Sequence, residues 1–388
     1  MTPPRRADLP LLPTTVVGSW PVPEWLERLK TDRFRNRVSG TQLAEVHDCA
    51  VTAAIKDQEL AGLDIVSDGE LRRDNDVDYL LSRIPGIELP VTTKDFYYDY
   101  YDTRVASSPR PSPTDPGLGL DDDLDFARAR TDRPIKFSFT GPFSLARRVV
   151  DDVHGEPADL VRAIAHVLAE AAAALGDAGV DLLQIDEPFL AGCPEQVGLA
   201  VEAVNIITRD VEVPWALHVC YGNRYARPLW EGHYDFLFPA VLDARVDQLV
   251  LEFARKGDED LPIIERSGWD RSIGLGVIDV KSTTVETPEL VEARIRRALD
   301  LVPPDKLMIN PDCGLRNLPI PVATAKLRAM VDGAARVRAD LACAAAEHTS
   351  PETNGHISSA AVLPDATRGD GATHPLRPDP AAVPGGPG

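Results

Sequence analysis

A histidine and a cysteine lie two residues apart in the apolar stretch WALHVCYGN, residues 215–223. Side chains alternate between the two faces of a β-strand, so His218 and Cys220 would point the same way and could bind one metal ion. Alone, the pair is a weak signal, because buried thiols and hydrogen-bonded imidazoles are both common in protein cores. It indicates a metal site only if other segments supply further ligands.

The composition restricts the class of protein. The chain has 388 residues, of which 44% are hydrophobic, and a formal net charge of −20. This negative charge argues against nucleic-acid partners and against binding to a membrane surface, since both need a cationic surface. The five scattered cysteines do not form a secreted disulfide framework, and no apolar segment resembles a signal peptide or a membrane span. We expect a cytoplasmic protein with small-molecule substrates.

Short β-rich apolar segments alternate with segments of helical periodicity, which predicts βα units and a parallel sheet. Thr287 is a candidate N-cap for the helix after the seventh strand, with Pro288 at its first position. Eight such units predict an α/β fold of the TIM (β/α)8 barrel type. The eight strand candidates are residues 14–20, 63–70, 135–142, 182–188, 216–222, 249–253, 273–279 and 306–314.

Three segments fall outside this alternation. Residues 1–12 are predicted to be a flexible N-terminus, and the Pro-, Gly- and Ala-rich residues 345–388 a disordered tail. The single barrel domain is then residues 13–344, interrupted by an irregular excursion near 91–133. The aromatic run from Phe96 to Tyr101 in this excursion could pack as core or lid, or could form a floor for a flat or methyl-bearing donor molecule.

Polar residues interrupt the predicted strands near their C-terminal ends, where a barrel of this type carries its active site. Any one of them could simply cap the following helix, but as a set they predict a functional site on one rim. In chain order they are Ser19, Glu70, Thr140, Asp186, Glu187, His218, Cys220, Glu252, Asp279, Lys281 and Cys313.

Two of these residues are further candidate metal ligands. Cys313 supplies a second thiol, and Glu252 supplies a carboxylate that could fill a fourth position. Thiolate and imidazole ligands favour Zn²⁺, whereas Mg²⁺ and Ca²⁺ prefer oxygen ligands. Three strong ligands and one exchangeable carboxylate are typical of a catalytic zinc site. Since zinc lowers the pKa of a bound thiol, we expect the substrate to be a thiol that reacts as its thiolate.

The remaining rim residues could bind both ends of an amino acid. The carboxylates of Glu70, Asp186 and its neighbour Glu187 could accept hydrogen bonds from an ammonium group. Ser19 and the backbone after Gly18 could donate to a carboxylate. An amino-acid thiol would satisfy both sets of groups.

The chain resembles the C-terminal, catalytic half of cobalamin-independent methionine synthase and its short stand-alone relatives, from about Thr14 to about Val337. The motifs that carry the resemblance are TTVVGSWP, GLDIVSDGELRRDN, TGP, LLQIDEP, LHVCYGN, LVLEFA, GLGVIDVKS followed by VET, and INPDCGL. The resemblance implies methyl transfer to the sulfur of homocysteine, giving methionine. It also implies that zinc is held by His218, Cys220, Glu252 and Cys313, and that homocysteine is bound by Ser19, Glu70 and Asp186.

Two departures from the full-length family bear on the mechanism. This chain has no room for the N-terminal barrel that helps to bind polyglutamyl methyl-folate, which leaves both methyl-folate and a methylated corrinoid open as donors. Where the family usually has a proton-relaying histidine, this chain has Lys281, which could donate a proton or orient Asp279. These two residues are the candidate catalytic pair.

Two other interpretations of the same residues stay open. The activated thiolate could attack another electrophile, as in relatives that resemble epoxide to coenzyme M transferases, or serve carbon–sulfur chemistry on a specialised metabolite. The residues expected to bind an amino acid disfavour coenzyme M, which has no α-amino group. Lys281 also leaves open a non-catalytic protein that binds zinc or a thiol.

Overall fold

In the computed structural model, which describes residues 9–89 and 100–349, helices alternate with parallel strands. The helices are α1 (Glu24–Phe34), α2 (Gly40–Ala61), α3 (Asp78–Leu81), α4 (Leu120–Arg128), α5 (Pro142–Ala146), α6 (Pro157–Asp177), α7 (Val197–Thr208), α8 (Pro262–Ser267), α9 (Pro288–Leu299) and α10 (Ile320–Thr349). The strands are β1 (Ile87–Glu88), β2 (Thr103–Val105), β3 (Lys136–Thr140), β4 (Val149–Val150), β5 (Leu182–Asp186), β6 (Trp215–Val219), β7 (Gln248–Leu251), β8 (Ser272–Ile278) and β9 (Leu307–Pro311).

The main sheet contains six parallel strands in the order β3-β5-β6-β7-β8-β9. Two extended segments close it into a ring: Thr14 bridges to Ile309 of β9, and Val66 bridges to Ile135 beside β3. The amide of Ile65 donates to the carbonyl of Thr14 at 3.1 Å, which joins these two segments to each other. The sheet is therefore a closed barrel with eight members, as the alternation in the sequence predicted.

The first two members of the barrel are shorter than the sequence pattern indicates. Residues 14–20 and 63–70 contribute single bridges, whereas each of the other six predicted segments contains or overlaps a strand. In the second segment, Gly69 and Glu70 have φ angles of 71° and 56°, which end the extended backbone. A Cβ at Gly69 would lie 2.8 Å from Cβ of Trp20, so this turn needs glycine.

The helices form where the apolar periodicity predicts them. Helix α6 begins with a proline in its first turn and buries Leu160, Ile164 and Leu168 along one face. Thr287 caps α9, because its side chain accepts a hydrogen bond from the amide of Leu290 at 3.3 Å. The helix predicted after the seventh strand, with Thr287 as its N-cap, is therefore confirmed. Among the described residues, the longest and most apolar helices are still too short or too polar to cross a membrane.

The hydrophobic core has two parts. A large cluster lies between the sheet and the helices, and a small one fills the inside of the barrel. The inner cluster comes from alternate positions of the barrel strands, as expected when every second side chain points to the barrel axis. Its buried members are Val17, Ile65, Leu182, Ala216, Val250 and Met308.

The described residues extend past both predicted boundaries of the barrel domain, 13 and 344. The chain divides into a compact unit, Met1–Ala344, and a C-terminal segment, Ala345–Gly388. Leu12 is fully buried, so the folded part begins inside the segment 1–12 that was expected to be flexible. Helix α10 continues to Thr349, past the expected start of the tail at 345. Residues 1–8 and the predicted tail from 350 onward lie outside the described residues.

The predicted excursion near 91–133 is partly regular. It contains α4 and β2, and β2 pairs with β1 antiparallel and with β4 in parallel to form a small sheet. The predicted aromatic run begins in residues 90–99, which lie outside the described residues, and ends with Tyr100 and Tyr101 inside them.

We expect Leu168→Ala to lower the free energy of unfolding by about 2–5 kcal/mol, because it removes a fully buried side chain of α6 and leaves a cavity. The matched control is Leu60→Ala in α2, whose side chain is 61% exposed and which should change stability by no more than about 0.5 kcal/mol. Urea unfolding of the two variants, followed by circular dichroism, measures both values. Equal losses would contradict the packing described for α6.

Candidate metal centre and substrate site

Polar residues from six members of the barrel line one cavity at the C-terminal ends of the strands. This convergence was expected, because the polar residues lie near the C-terminal ends of the predicted strands. Of the predicted site residues, those that line the cavity are Ser19, Glu70, Thr140, Asp186, His218, Cys220 and Cys313.

Three of these side chains form a candidate metal centre. The ligand atoms of His218, Cys220 and Cys313 all lie within 4.8 Å of one another. His218 lies on β6, and its Nδ1 is 2.9 Å from the carbonyl oxygen of Val250, so Nδ1 carries the proton and Nε2 keeps its lone pair. Nε2 is buried and has no hydrogen-bond partner among the described residues. A buried acceptor of this kind fits a metal ligand.

The pKa of the Cys313 thiol is also consistent with a site that binds a cation. The adjacent Cys220 sulfur and burial raise the pKa of Cys313 well above its usual range, because two thiolates cannot lie side by side without compensation. A divalent ion between them would reverse this effect and hold both as thiolates. Two sulfur ligands and one imidazole are the donor set that zinc prefers.

Glu252 lies outside this group of three. It follows β7 and is fully buried, and its Oε1 accepts hydrogen bonds from Nζ of Lys281 at 2.8 Å and from the amide of Tyr221 at 3.3 Å. Its Oε2 is buried without a hydrogen-bond partner in the described part of the chain. The predicted fourth ligand is therefore held by Lys281 through one oxygen and has the other available.

Lys281 is placed beside the metal centre and away from the cavity wall. Burial lowers the pKa of Lys281, but the charges of Glu252, Cys313 and Cys220 raise it above its usual value. These neighbours therefore favour the ammonium form of the side chain. Asp279 accepts a hydrogen bond from the amide of Lys281 at 2.8 Å and so holds the turn that carries it.

Elsewhere in the cavity wall, Glu70 is held close to the backbone of the first barrel member, residues 14–20. Its Oε1 accepts from the hydroxyl of Ser138 at 2.7 Å and lies 3.3 Å from Nη1 of Arg73. A Cβ at Gly18 would lie 2.2 Å from the same oxygen. Gly18 is therefore needed for the carboxylate to take this position.

Asp186, at the end of β5, lies next to His218 in the sheet register. Its Oδ1 accepts a hydrogen bond from Nε2 of Gln184 at 2.7 Å. Burial raises the pKa of Asp186, and the charge of Glu70 raises it further, whereas His218, Gln184 and a buried lysine, Lys136, oppose the increase. Two carboxylates that face one cavity in this way favour a cationic ligand between them.

Glu187 does not take the substrate-binding position that was expected for it. Its side chain is fully buried and accepts hydrogen bonds from the amides of Phe143 and Ser144 at 3.2 and 2.8 Å. These amides begin α5, so Glu187 holds that helix against the end of β5 and lies away from the cavity wall. The dipeptide Asp186-Glu187 alternates faces, and only its first member turns inward.

The structure adds cavity residues that the sequence analysis did not identify. For Arg73, Arg316 and Asn317 the signals were the motifs ELRRDN and GLRN, which lie at two predicted strand ends. Tyr100, from the aromatic run, donates to Oδ1 of Asp76 at 3.0 Å and lies 4.8 Å from the guanidinium of Arg224. Besides Tyr100 and Arg224, the residues added to the cavity include Arg73, Asp76, Asn223, Arg316 and Asn317.

We expect the isolated protein to bind about one zinc ion per chain, and Cys313→Ser to retain much less, because a serine hydroxyl is a poor ligand for this ion. Cys343→Ser is the matched control, since Cys343 is exposed on α10 and belongs to no ligand group in the described part of the chain. Elemental analysis after dialysis measures both. Unchanged zinc in Cys313→Ser would contradict the metal centre.

Comparison with known proteins gives one consistent result. The family described as cobalamin-independent synthase, catalytic domain, matches residues 12–336. The methionine synthase of Saccharolobus solfataricus is 35% identical over 339 residues, which cover 86% of this chain and 97% of that protein. The methionine synthase of Sulfurisphaera tokodaii is 33% identical over 337 residues, covering 86% of this chain and 95% of that protein.

Solved structures agree with this result. A B12-independent methionine synthase from Shewanella sp. W3-18-1, in complex with selenomethionine, has a TM-score of 0.76 and 28% identity and covers 86% of this chain and 99% of its own. A putative vitamin-B12 independent methionine synthase from Listeria monocytogenes has a TM-score of 0.65 at 19% identity, covers 83% of this chain and 96% of its own, and supports the fold alone. The chain therefore belongs to the cobalamin-independent methionine synthase family, as its motifs indicated.

Proposed function

We propose that the protein is a methyltransferase that methylates the sulfur of homocysteine to give methionine, with a zinc ion held by His218, Cys220, Cys313 and Glu252. One observation carries this proposal beyond family membership. The three clustered metal-ligating side chains and the two carboxylates suited to an ammonium group, Glu70 and Asp186, line the same cavity. An amino acid with a thiol at the end of its side chain matches both.

The amino-acid end of the substrate is recognised by charge. Asp186 and Glu70 receive the ammonium group, and the hydroxyl of Ser19 donates to the carboxylate. Ser19 lies against Gly314, where a Cβ would come within 2.0 Å of its Oγ, so its hydroxyl is fixed in position. These carboxylates disfavour a thiol without an α-amino group, such as coenzyme M.

The thiol end lies at the metal centre. A zinc ion held there would lower the pKa of the substrate thiol and so supply a thiolate nucleophile at neutral pH. His218 contributes Nε2, and its bond to the carbonyl of Val250 fixes the ring orientation. The methyl group then moves from the donor to the sulfur, and the donor leaves with the electrons of the broken bond.

Lys281 and Asp279 act as positioning residues in this proposal. The ammonium group of Lys281 holds Oε1 of Glu252, which leaves Oε2 for the metal. Asp279 fixes the amide of Lys281, and its own amide donates to Glu286 at 2.9 Å. A proton-relay role for the pair is a separate prediction that depends on the donor, since a folate amine takes up a proton when it leaves whereas a corrinoid metal does not.

The methyl donor is either a methyl-folate with few glutamates or a methylated corrinoid. A polyglutamyl tail needs a cationic surface, but the chain carries 61 acidic and 41 basic residues. Arg224, Arg227 and the segment 254–256 could together form a small basic patch on the rim, and the last of these is neutralised locally. Arg255 and Lys256 both pair with Glu231, at 2.9 and 3.7 Å.

Asp186→Asn should weaken homocysteine binding by about ten-fold to a hundred-fold, since one charge-assisted hydrogen bond contributes about 1.5–3 kcal/mol. Zinc content should stay the same, because Asp186 is not a proposed ligand. Titration calorimetry with zinc-loaded protein measures the Kd, and elemental analysis gives the control. An unchanged Kd would count against an amino-acid substrate.

Methionine formation from homocysteine tests both the function and the donor. We expect product with monoglutamyl methyl-folate or with methylcobalamin, and no rate advantage for triglutamyl methyl-folate, because the chain is net acidic and Arg255 and Lys256 already pair with Glu231. Rates at matched donor concentrations, at low and high salt, measure this. A strong, salt-sensitive preference for the triglutamyl form would refute the donor assignment, and absence of methionine with every donor would refute the function.

A further inference from the structure

A lysine lies inside the barrel, beneath the proposed amino-acid site, and the reaction described above does not use it. Lys136 begins β3 and is 1% exposed. Its Nζ donates a hydrogen bond to Oε1 of Gln184 on β5 at 2.9 Å. Transfer of an ammonium group into a barrel interior is costly unless polar and charged partners compensate for it. The apolar cluster inside the barrel offers no partner for an ammonium group, so the lysine needs an explanation.

The amide of Gln184 has only one orientation that satisfies its neighbours. Its Nε2 donates to Oδ1 of Asp186 at 2.7 Å and to the carbonyl oxygen of Val17 at 2.9 Å, which uses both amide hydrogens. Its Oε1 faces Lys136. An ammonium group can only donate, so Lys136 requires the oxygen on its side. If the amide were reversed, its oxygen would face two other acceptors.

Electrostatic interactions also connect Lys136 to Asp186. The carboxylates of Asp186 and Glu70 both act on Lys136 and raise its pKa, although burial lowers the pKa by more. In its ammonium form, Lys136 is the buried countercharge of the two carboxylates that the proposed function assigns to the substrate ammonium group. With substrate bound, Asp186 would have one cation below it and one in the cavity.

We propose that Lys136 is a positioning residue for the amino-acid substrate: through Gln184 it orients the Asp186 carboxylate that binds the substrate ammonium group. This inference rests on the proposed function, since it takes an amino-acid thiol as the ligand. It assigns Lys136 no contact with the substrate. Loss of Lys136 would release the Gln184 amide, and Asp186 would lose both a fixed donor and a countercharge.

Lys136→Met tests the inference, because methionine keeps an unbranched apolar chain and removes the donor and the charge. We expect the Kd for homocysteine, measured by titration calorimetry on zinc-loaded protein, to rise at least about ten-fold, with unchanged zinc content. In the methyl-transfer assay, KM should rise more than kcat falls. In an Asp186→Asn background, the same substitution should add little further loss, since both changes act on one interaction.

The ligand provides a control for general damage to the site. 4-Sulfanylbutanoate is homocysteine without its amino group, so its affinity should change far less than that of homocysteine when Lys136 is replaced. A variant that was merely misfolded would lose both ligands equally. Equal losses for the two ligands, or an unchanged homocysteine Kd, would overturn the role of Lys136.

Gln184→Glu keeps the inference testable if Lys136→Met does not fold. It preserves an acceptor for Lys136 but replaces the donor to Asp186 with a second carboxylate. Homocysteine binding should weaken as in Lys136→Met, and normal binding would overturn the inference. Wild-type protein that binds zinc but not homocysteine would refute the proposed function and this inference together. Normal wild-type binding with unaffected variants would refute the inference alone.

Discussion

The site depends on one constraint: charges that the barrel buries must be paired with each other. Glu70 lies 3.3 Å from Arg73, Glu252 accepts from Lys281 at 2.8 Å, and Lys136 reaches Asp186 through Gln184. Each of these three carboxylates is therefore held by a cationic partner, directly or through an amide. Such pairs contribute little net stability, but they define where the charges lie. Their benefit is a preorganised site.

This pairing requires close approach between side chains and backbone. Gly18 and Gly314 mark two such places, since a Cβ at either would lie within 2.2 Å of a polar side-chain oxygen of Glu70 or Ser19. At both positions glycine serves to admit a polar side chain from another segment, and neither has a positive φ angle. In each of these rim motifs, the glycine therefore leaves room for a polar side chain that comes from another segment.

The sequence supported the fold and most of the cavity because both follow from local patterns. Apolar alternation located the eight barrel members, and the polar residue at each strand end located the rim. The sequence pattern gave the wrong position for the side chain of Glu187. This residue follows a strand end, and its orientation depends on the helix that begins beside it. The pattern also missed Lys136 and Gln184, since a polar residue inside an apolar strand does not show which distant residue will satisfy it. The shortened first members of the barrel depend on the backbone turn at Gly69 and Glu70.

The position of Lys281 follows from a charge count at the metal centre. If the proposed Zn²⁺ were bound, the centre with the thiolates of Cys220 and Cys313 and a neutral His218 would be neutral, and one more anionic ligand would make it negative. The ammonium group of Lys281 lies beside both thiols and Glu252 and offsets that one charge. A neutral histidine could not do so. In this chain, the positive charge of Lys281 would therefore balance a third anionic ligand beside the two thiolates. That ligand would be either Glu252 or a substrate sulfur.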